Sequence, residues 1–155
     1  MDSGDRCKRI CQTVRDFPAF LSNKFSIELY PENTANNFIC DLRDPIPLYG
    51  HWTVAVLDIF FQPTFVIFTS TPVYILCNFC AESPAKVGTL HHNSVLRRIN
   101  LSGSGTFSHH YSRPLYIPVN VSVVNRLRFQ IVMEDGKPLA LTGDTHLALQ
   151  FLRNE

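Results

Sequence analysis

The chain has 155 residues, a formal net charge of +1, 17% charged residues and twelve Phe. This length fits one domain, which buries roughly 70% of the surface that its unfolded form exposes. The charged fraction is below the ~25% of an ordinary soluble domain, so we expect some apolar surface to meet another chain. The basic residues are scattered, which argues against sequence-specific nucleic-acid binding and against an anionic membrane as a partner.

The first 24 residues have an amphipathic pattern. Apolar residues recur at three- and four-residue spacing, namely Cys7, Ile10, Cys11, Val14 and Phe17. This spacing predicts a short helix that ends at Pro18. We expect residues 1–24 to form either an arm that docks on a neighbouring subunit or a helix that closes the chain's own domain. Residues 1–16 mix charges and lack the apolar segment of a secretory signal, so we expect synthesis in a reducing compartment.

The cysteines predict buried thiols rather than a disulfide framework, because their number is odd and the compartment is reducing. They are Cys7, Cys11, Cys40, Cys77 and Cys80. Cys77-Asn78-Phe79-Cys80 has the spacing of half a zinc site, with His91 and His92 eleven residues further on. Zinc requires four converging ligands, whereas positions three apart in a strand face opposite sides of the sheet. We therefore expect a buried pair and neither a metal nor a cofactor.

From residue 25 onwards, apolar residues recur at every second position, which predicts strands. The predicted segments are 25–30, 38–42, 52–61, 65–68, 73–80, 87–101 as one strand or a pair, 111–119 as a short edge strand, 121–133 and 147–151. Breaks are expected at 31–37, at Asp44-Pro45-Ile46-Pro47, at 69–72 and at the small-residue loop 102–105.

Two of these segments are informative in detail. In residues 52–61 the pattern places Trp52, Val54, Val56 and Phe60 on one face and Ala55, Leu57, Ile59 and Phe61 on the other, so both faces are expected to be covered. Ten residues are about half of a membrane span, which argues against one. In 121–151, alternating residues such as Val123 and Leu127, the turn dipeptide Asp135-Gly136 and a final alternation predict a pair of strands joined by that turn.

About eight strands without an interior helix predict an all-β protein, an antiparallel two-sheet sandwich. The uneven connections favour a single jelly roll over residues 25–155. An immunoglobulin-like sandwich is the alternative, which the position of the cysteines relative to Trp52 does not favour.

The sequence predicts no active site, and we do not expect an enzyme. It contains no His-x-His pair, no Gly-x-Ser-x-Gly elbow and no His-Glu-x-x-His helix. The segment Gly103-Ser104-Gly105-Thr106 lacks the lysine of a phosphate-binding loop. His109 and His110 are expected to diverge from each other and to lie in a surface loop.

Residues 25–42 (FSIELYPENTANNFICDL) and 46–59 (IPLYGHWTVAVLDI) resemble the opening of the small capsid proteins of Polinton-like elements, adintoviruses and adomaviruses. In those proteins a strand, a Tyr-Pro-x-Asn connection and a second strand lead to a Leu-x-Gly-x-Trp-x-Val motif. The closing stretch is also similar, with Asp135-Gly136-Lys137-Pro138, then Gly143, then a Leu-x-Leu-x-Phe strand at 147–151. Both ends match in the same order, whereas the middle, 61–105, is compact beside the insertions of such proteins.

The resemblance implies a single jelly roll that forms the homopentameric vertex protein, or penton, of an icosahedral capsid. It implies a double jelly-roll major capsid protein as the neighbour and a location in the virion. Synthesis would occur in the host cytoplasm, with assembly there or in the nucleus. A jelly-roll binding module for a carbohydrate or a receptor, with Tyr111 and Tyr116 as contacts, is the alternative, and a metal-dependent enzyme ranks last. For the capsid interpretation we expect the subunit interface at Phe17, Phe20, Phe60, Phe61 and Phe65.

Overall fold

The computed structural model describes residues 14–15, 23–30, 37–64, 67–81, 94–103, 105–142 and 144–154. These residues form ten strands: β1 (Val14–Arg15), β2 (Lys24–Leu29), β3 (Asn37–Pro47), β4 (His51–Phe61), β5 (Ile67–Cys77), β6 (Val95–Gly103), β7 (Phe107–His110), β8 (Ile117–Pro118), β9 (Val123–Met133) and β10 (His146–Asn154). The described part contains no helix, so no helix in it is long and apolar enough to cross a membrane. The predicted all-β class is confirmed.

The strands form two antiparallel sheets. Sheet A has the order β1-β2-β10-β4-β7, with β8 also pairing with β4, and sheet B has the order β3-β9-β5-β6. One cluster of buried side chains includes residues from both sheets, so the sheets face each other across a shared core. The predicted two-sheet sandwich is confirmed, while the finer prediction of a jelly roll stays a prediction.

Aromatic rings connect the two layers of the core. Within sheet A, Phe25 on β2 stacks on Phe151 of β10 with ring centroids 4.8 Å apart. Phe79, which follows β5, lies 5.5 Å from Phe129 of sheet B and 5.9 Å from Phe151 of sheet A. The ring of Phe79 therefore touches both sheets at the end of β5.

The predicted faces of β4 are correct only up to Val56. The register with β10 shifts between Ala148 and Leu149, which leaves Leu57 without an opposite residue. This β-bulge reverses the alternation, so Ile59 and Phe61 point into the core although they were assigned to the face opposite Trp52.

A similar irregularity affects the start of β9. Val123 is 43% exposed and Val124 is buried, the reverse of the predicted pattern. From Leu127 onwards the buried row follows the prediction to Ile131. The reversal coincides with the register shift on the partner strand β3, between Asp41 and Ile46.

The predicted pairing of the last two strands is wrong, although their turn is correct. Gly136 adopts a φ of 84°, and its N–H donates to the carbonyl of Met133 at 2.9 Å. The chain then folds back on β9 itself, where the N–H of Leu139 donates to the carbonyl of Ile131 at 2.9 Å. The final strand, β10, crosses to sheet A and pairs there with β2 and β4.

Proline does not break the strands where the sequence predicted breaks. β5 continues through Pro72, which faces Asn100 of β6, while its pairing with β9 begins at the next residue. Pro72 thus needs no donor on the β9 side. β3 continues through Pro45 and Pro47 because it is an edge strand with a register shift at that point.

Two further predictions need correction. Val14 and Arg15 pair antiparallel with Ile27 and Ser26, so the predicted helix is wrong at these two positions. The other residues of that predicted helix lie outside the described residues. The structure also adds a strand, β7, in the stretch where a loop was predicted for the two histidines.

Candidate functional site

The structure separates the five phenylalanines of the predicted subunit interface. Phe61 is fully buried and packs against Phe107 with ring centroids 5.2 Å apart, so its side chain belongs to the chain's own core. The expected interface is therefore corrected at Phe61. Phe60 is half-buried on β4, and its role stays a prediction. Phe17, Phe20 and Phe65 lie outside the described residues.

Other apolar side chains reach the surface. Those with the largest exposure are Tyr49 (64%), Leu115 (53%), Ile39 (45%), Val123 (43%) and Tyr30 (42%). Tyr49 and Val123 lie at the same end of the sandwich, because Pro47 pairs with Val123 and the chain then reaches Tyr49 two residues later. The sequence did not predict this exposure, because Val123 belongs to an alternating apolar row that was expected to be buried, and no prediction was made for the exposure of Tyr49.

Arg97, His109 and Tyr111 meet where the edges of the two sheets approach each other. The guanidinium carbon of Arg97, on β6, lies 4.0 Å from the centroid of the Tyr111 ring, just after β7. The His109 ring lies 4.3 Å from the same tyrosine. Partial burial raises the pKa of Tyr111, although the positive charge of Arg97 acts in the opposite direction. The arrangement combines a cation with two ring faces, a combination that can hold a planar or anionic group.

The two histidines of β7 diverge as predicted, but they do so on a strand. While His109 contacts Tyr111, the Nδ1 atom of His110 lies 2.6 Å from Oδ1 of Asp58 on β4. Both side chains of that pair are well exposed, so the pair contributes little to the stability of the contact between β7 and β4. Among the described residues, no group of three or more His, Cys, Asp and Glu could hold a metal ion.

Cys77 and Cys80 are both buried free thiols, as predicted. The argument that they face opposite sides of a strand is wrong, because β5 ends at Cys77 and the chain turns through Asn78 and Phe79. This turn makes the two thiols neighbours, and the neighbouring Cys77 thiol together with burial raises the pKa of Cys80. His91 and His92, the other half of the weighed zinc site, lie outside the described residues.

A shallow cavity of about 290 Å³ opens beside this turn, lined by Leu76, Cys77, Asn78, Arg128 and Gln130. The side chain of Asn78 accepts from the N–H of Arg128 at 2.9 Å and donates to the carbonyl of Arg126 at 3.2 Å. Asn78 therefore continues the β9 ladder beyond the last residue of β5. The cavity is at the lower limit of ligand pockets, which run from about 300 to 1,000 Å³.

The two tyrosines that the binding alternative names do not form one aromatic surface. Both are half-buried. Tyr111 contacts Arg97, whereas the hydroxyl of Tyr116 donates to the side-chain oxygen of Gln150 on β10. Of the two, Tyr111 has the neighbours of a binding residue. Arg97 was missed because its partner is fourteen positions away in the sequence.

Comparisons with known proteins do not assign the chain to a family. No protein-family model matches it, and no curated protein matches it. A functional interpretation must therefore rest on the strand order, on the exposed side chains and on the resemblance described for the two ends of the sequence.

Proposed function

We propose that the chain is a structural capsid protein, a vertex subunit that assembles as a homopentamer in an icosahedral virion. The observation that supports this most is the strand order. When β2, β3, β4, β5, β6, β7, β9 and β10 are numbered one to eight, sheet A has the order 1-8-3-6 and sheet B the order 2-7-4-5. A jelly roll, the fold of many viral capsid domains, is built from eight strands in two such sheets, and we interpret the sandwich as one.

The surface of the sandwich also favours assembly. Exposed apolar side chains occur on two different parts of the molecule, Ile39 on the edge strand β3 and Tyr49 with Val123 at one end. Apolar surface of this kind is stabilised when a partner covers it. For a permanent ring contact we expect each interface to bury more than roughly 1,600 Å² in total.

The place of the subunit in the capsid comes from the resemblance. In capsids of that type, single jelly-roll proteins occupy the vertices beside a larger double jelly-roll major capsid protein. We accordingly propose that protein as the second partner, with the virion as the location. The short strand β1 pairs with β2 at the edge of sheet A.

Light scattering coupled to gel filtration tests the proposal. The purified chain should elute as one species of about 88 kDa, five copies of the 17.7 kDa chain. Negative-stain images of that peak should show rings with fivefold symmetry. A species that stays monomeric at millimolar concentration would overturn the proposal.

A second candidate function is recognition of a carbohydrate, which the cluster of Arg97, His109 and Tyr111 favours. Sugars that bear a carboxylate fit an arginine that lies over an aromatic ring. A glycan array should then show selective binding that Tyr111→Ala abolishes. Tyr49→Ala is the matched control, because Tyr49 is an exposed tyrosine outside the cluster. Equal binding by wild type and Tyr111→Ala would contradict this candidate.

A further inference from the structure

The acidic and basic residues are distributed unevenly along the chain, although its net charge is only +1. Residues 83–133 contain six of the fourteen Lys and Arg and none of the thirteen Asp and Glu, so this segment has a formal charge of +6 and the rest of the chain −5. The segment includes β6, β7, β8 and β9. A region of one sign attracts ligands of the opposite charge over a range of about 10 Å at 0.1 M salt.

Three arginines of this segment lie at one side of the sandwich. Arg97 and Arg98 are consecutive on β6, the end strand of the described sheet B. The guanidinium carbon of Arg97 lies 4.0 Å from the centroid of the Tyr111 ring. Arg113 follows that tyrosine by two positions, so their Cα atoms are within about 7 Å of each other. Arg98 and Arg113 are exposed, and we refer to the three residues together as the arginine group.

Carboxylates do not neutralise the arginine group within the described part of the chain. The arginine of this segment that has a carboxylate partner there is Arg126, whose Nε atom lies 2.6 Å from Oδ1 of Asp41. Among the described residues, no member of the arginine group forms an ion pair. Asp58 on β4 contacts His110, on the face of β7 opposite to that of Tyr111. The positive charge of the group is therefore available to a ligand.

The aromatic rings at this side already contact other protein groups. Arg97 covers Tyr111, and Phe107 packs against Phe61 with ring centroids 5.2 Å apart. Binding of a single-stranded nucleic acid relies on ring faces on which bases can stack, so these rings do not favour that ligand. The groups that remain for a ligand are guanidinium N–H donors, which match the oxygens of sulfate and carboxylate groups.

We infer that the arginine group binds a linear sulfated polysaccharide, a polymer whose sulfates and carboxylates recur along its length. The inference rests on the second candidate function, recognition of a carbohydrate, and names the class of that carbohydrate. Consecutive residues of a strand point to opposite faces, so a single sugar does not contact both Arg97 and Arg98. A polymer that passes along the end strand β6 can contact both of them, and Arg113 as well.

Binding of the full chain to immobilised heparin, measured by biolayer interferometry over a range of salt concentrations, tests the inference. The wild type should bind, and its dissociation constant should rise as sodium chloride is added. Arg98→Ser and Arg113→Ser should each raise the dissociation constant about tenfold, because each removes a charge-assisted contact. Chemically desulfated heparin and duplex DNA should both bind more weakly than heparin. Circular dichroism verifies that each variant is folded.

Lys137→Ser is the matched control. Lys137 is an exposed cation outside residues 83–133, so its loss lowers the net charge by the same amount and should change the dissociation constant by less than about twofold.

Three results would overturn the inference. They are the absence of heparin binding at low salt, equal weakening by Lys137→Ser and the two arginine variants, and tighter binding of duplex DNA than of heparin. If heparin does not bind but the glycan array shows unsulfated sugars with a carboxylate, the second candidate function survives without the inference. The proposed vertex subunit is tested separately, by the mass of the assembly.

Discussion

Replacement of Phe79 by alanine should destabilise the chain more than most single changes, because this ring joins the two sheets. The side chain is 1% exposed, and its ring lies 5.5 Å from Phe129 and 5.9 Å from Phe151. A buried Phe→Ala change costs about 3–5 kcal/mol through lost transfer energy and the cavity that remains. The edge-to-face geometry with Phe129, at an interplanar angle of 83°, favours the upper half of that range, so we expect about 4 kcal/mol.

Urea unfolding followed by circular dichroism measures this loss of free energy, and thermal unfolding followed by the same signal measures the change in melting temperature. A domain of this size loses about 2–4 °C of melting temperature per kcal/mol, so Phe79→Ala should melt roughly 8–16 °C lower. Phe79→Leu, which retains most of the volume, should lose less than about 2 kcal/mol. Tyr49→Ala, at a site 64% exposed, should change stability by no more than about 0.5 kcal/mol. A loss below about 1 kcal/mol for Phe79→Ala would refute the view that this ring closes a shared core.

Two other predictions concern glycine and cysteine. Gly50 and Gly103 adopt φ values of 89° and 87°. A Cβ on Gly50 would meet the flexible side chain of Arg153 at 3.1 Å, whereas no atom of the described residues lies within 4 Å of a Cβ on Gly103. Alanine at either site should cost about 1–2 kcal/mol by thermal unfolding, and a much greater cost at Gly50 would show that Arg153 cannot move aside. The Cys80 thiol should resist iodoacetamide at pH 8.5 until the chain unfolds, as read by peptide mass spectrometry. The neighbouring Cys77 thiol and burial raise the pKa of Cys80 above its ordinary value of 9.0 in the folded chain. Above pH 9 this thiol therefore ionises only in the unfolded chain, so the wild type should lose stability relative to Cys80→Ala as the pH rises. Parallel plots of stability against pH for the two proteins would contradict this.

The sequence predicted the parts of the surface that depend on neighbours along the chain. The divergence of His109 and His110 follows from the alternation of side chains in an extended segment, and the structure confirms it. The contact between Arg97 and Tyr111 could not be predicted in the same way, because it depends on the crossing of the chain from sheet B to sheet A. The proximity of Cys77 and Cys80 was missed for a related reason, since the alternation along residues 73–80 did not show that β5 ends at Cys77.

Proline illustrates how tertiary context changes a local rule. Pro72 and Pro45 each remove a backbone donor, and the sequence predicted a break at both. The strands continue because neither position needs that donor: β9 begins to pair with β5 only after Pro72, and at Pro45 β3 has a register shift and is the end strand of the described sheet. Position in the sheet therefore decided the outcome, and for β3 and β5 that position depends on pairing with residues distant in the sequence.

By itself, the sequence determined the all-β class, the alternating burial of Phe25, Ile27 and Leu29, and the turn at Asp135-Gly136. These features depend on backbone preferences and on periodicity within about ten residues, which operate before any distant contact forms. Only the tertiary structure decided which sheet each strand joins and where the alternation reverses. The bulge at Leu57 shows the reason: the face that a side chain takes depends on the register with a partner strand some ninety positions away, and a shift of one residue turns core into surface.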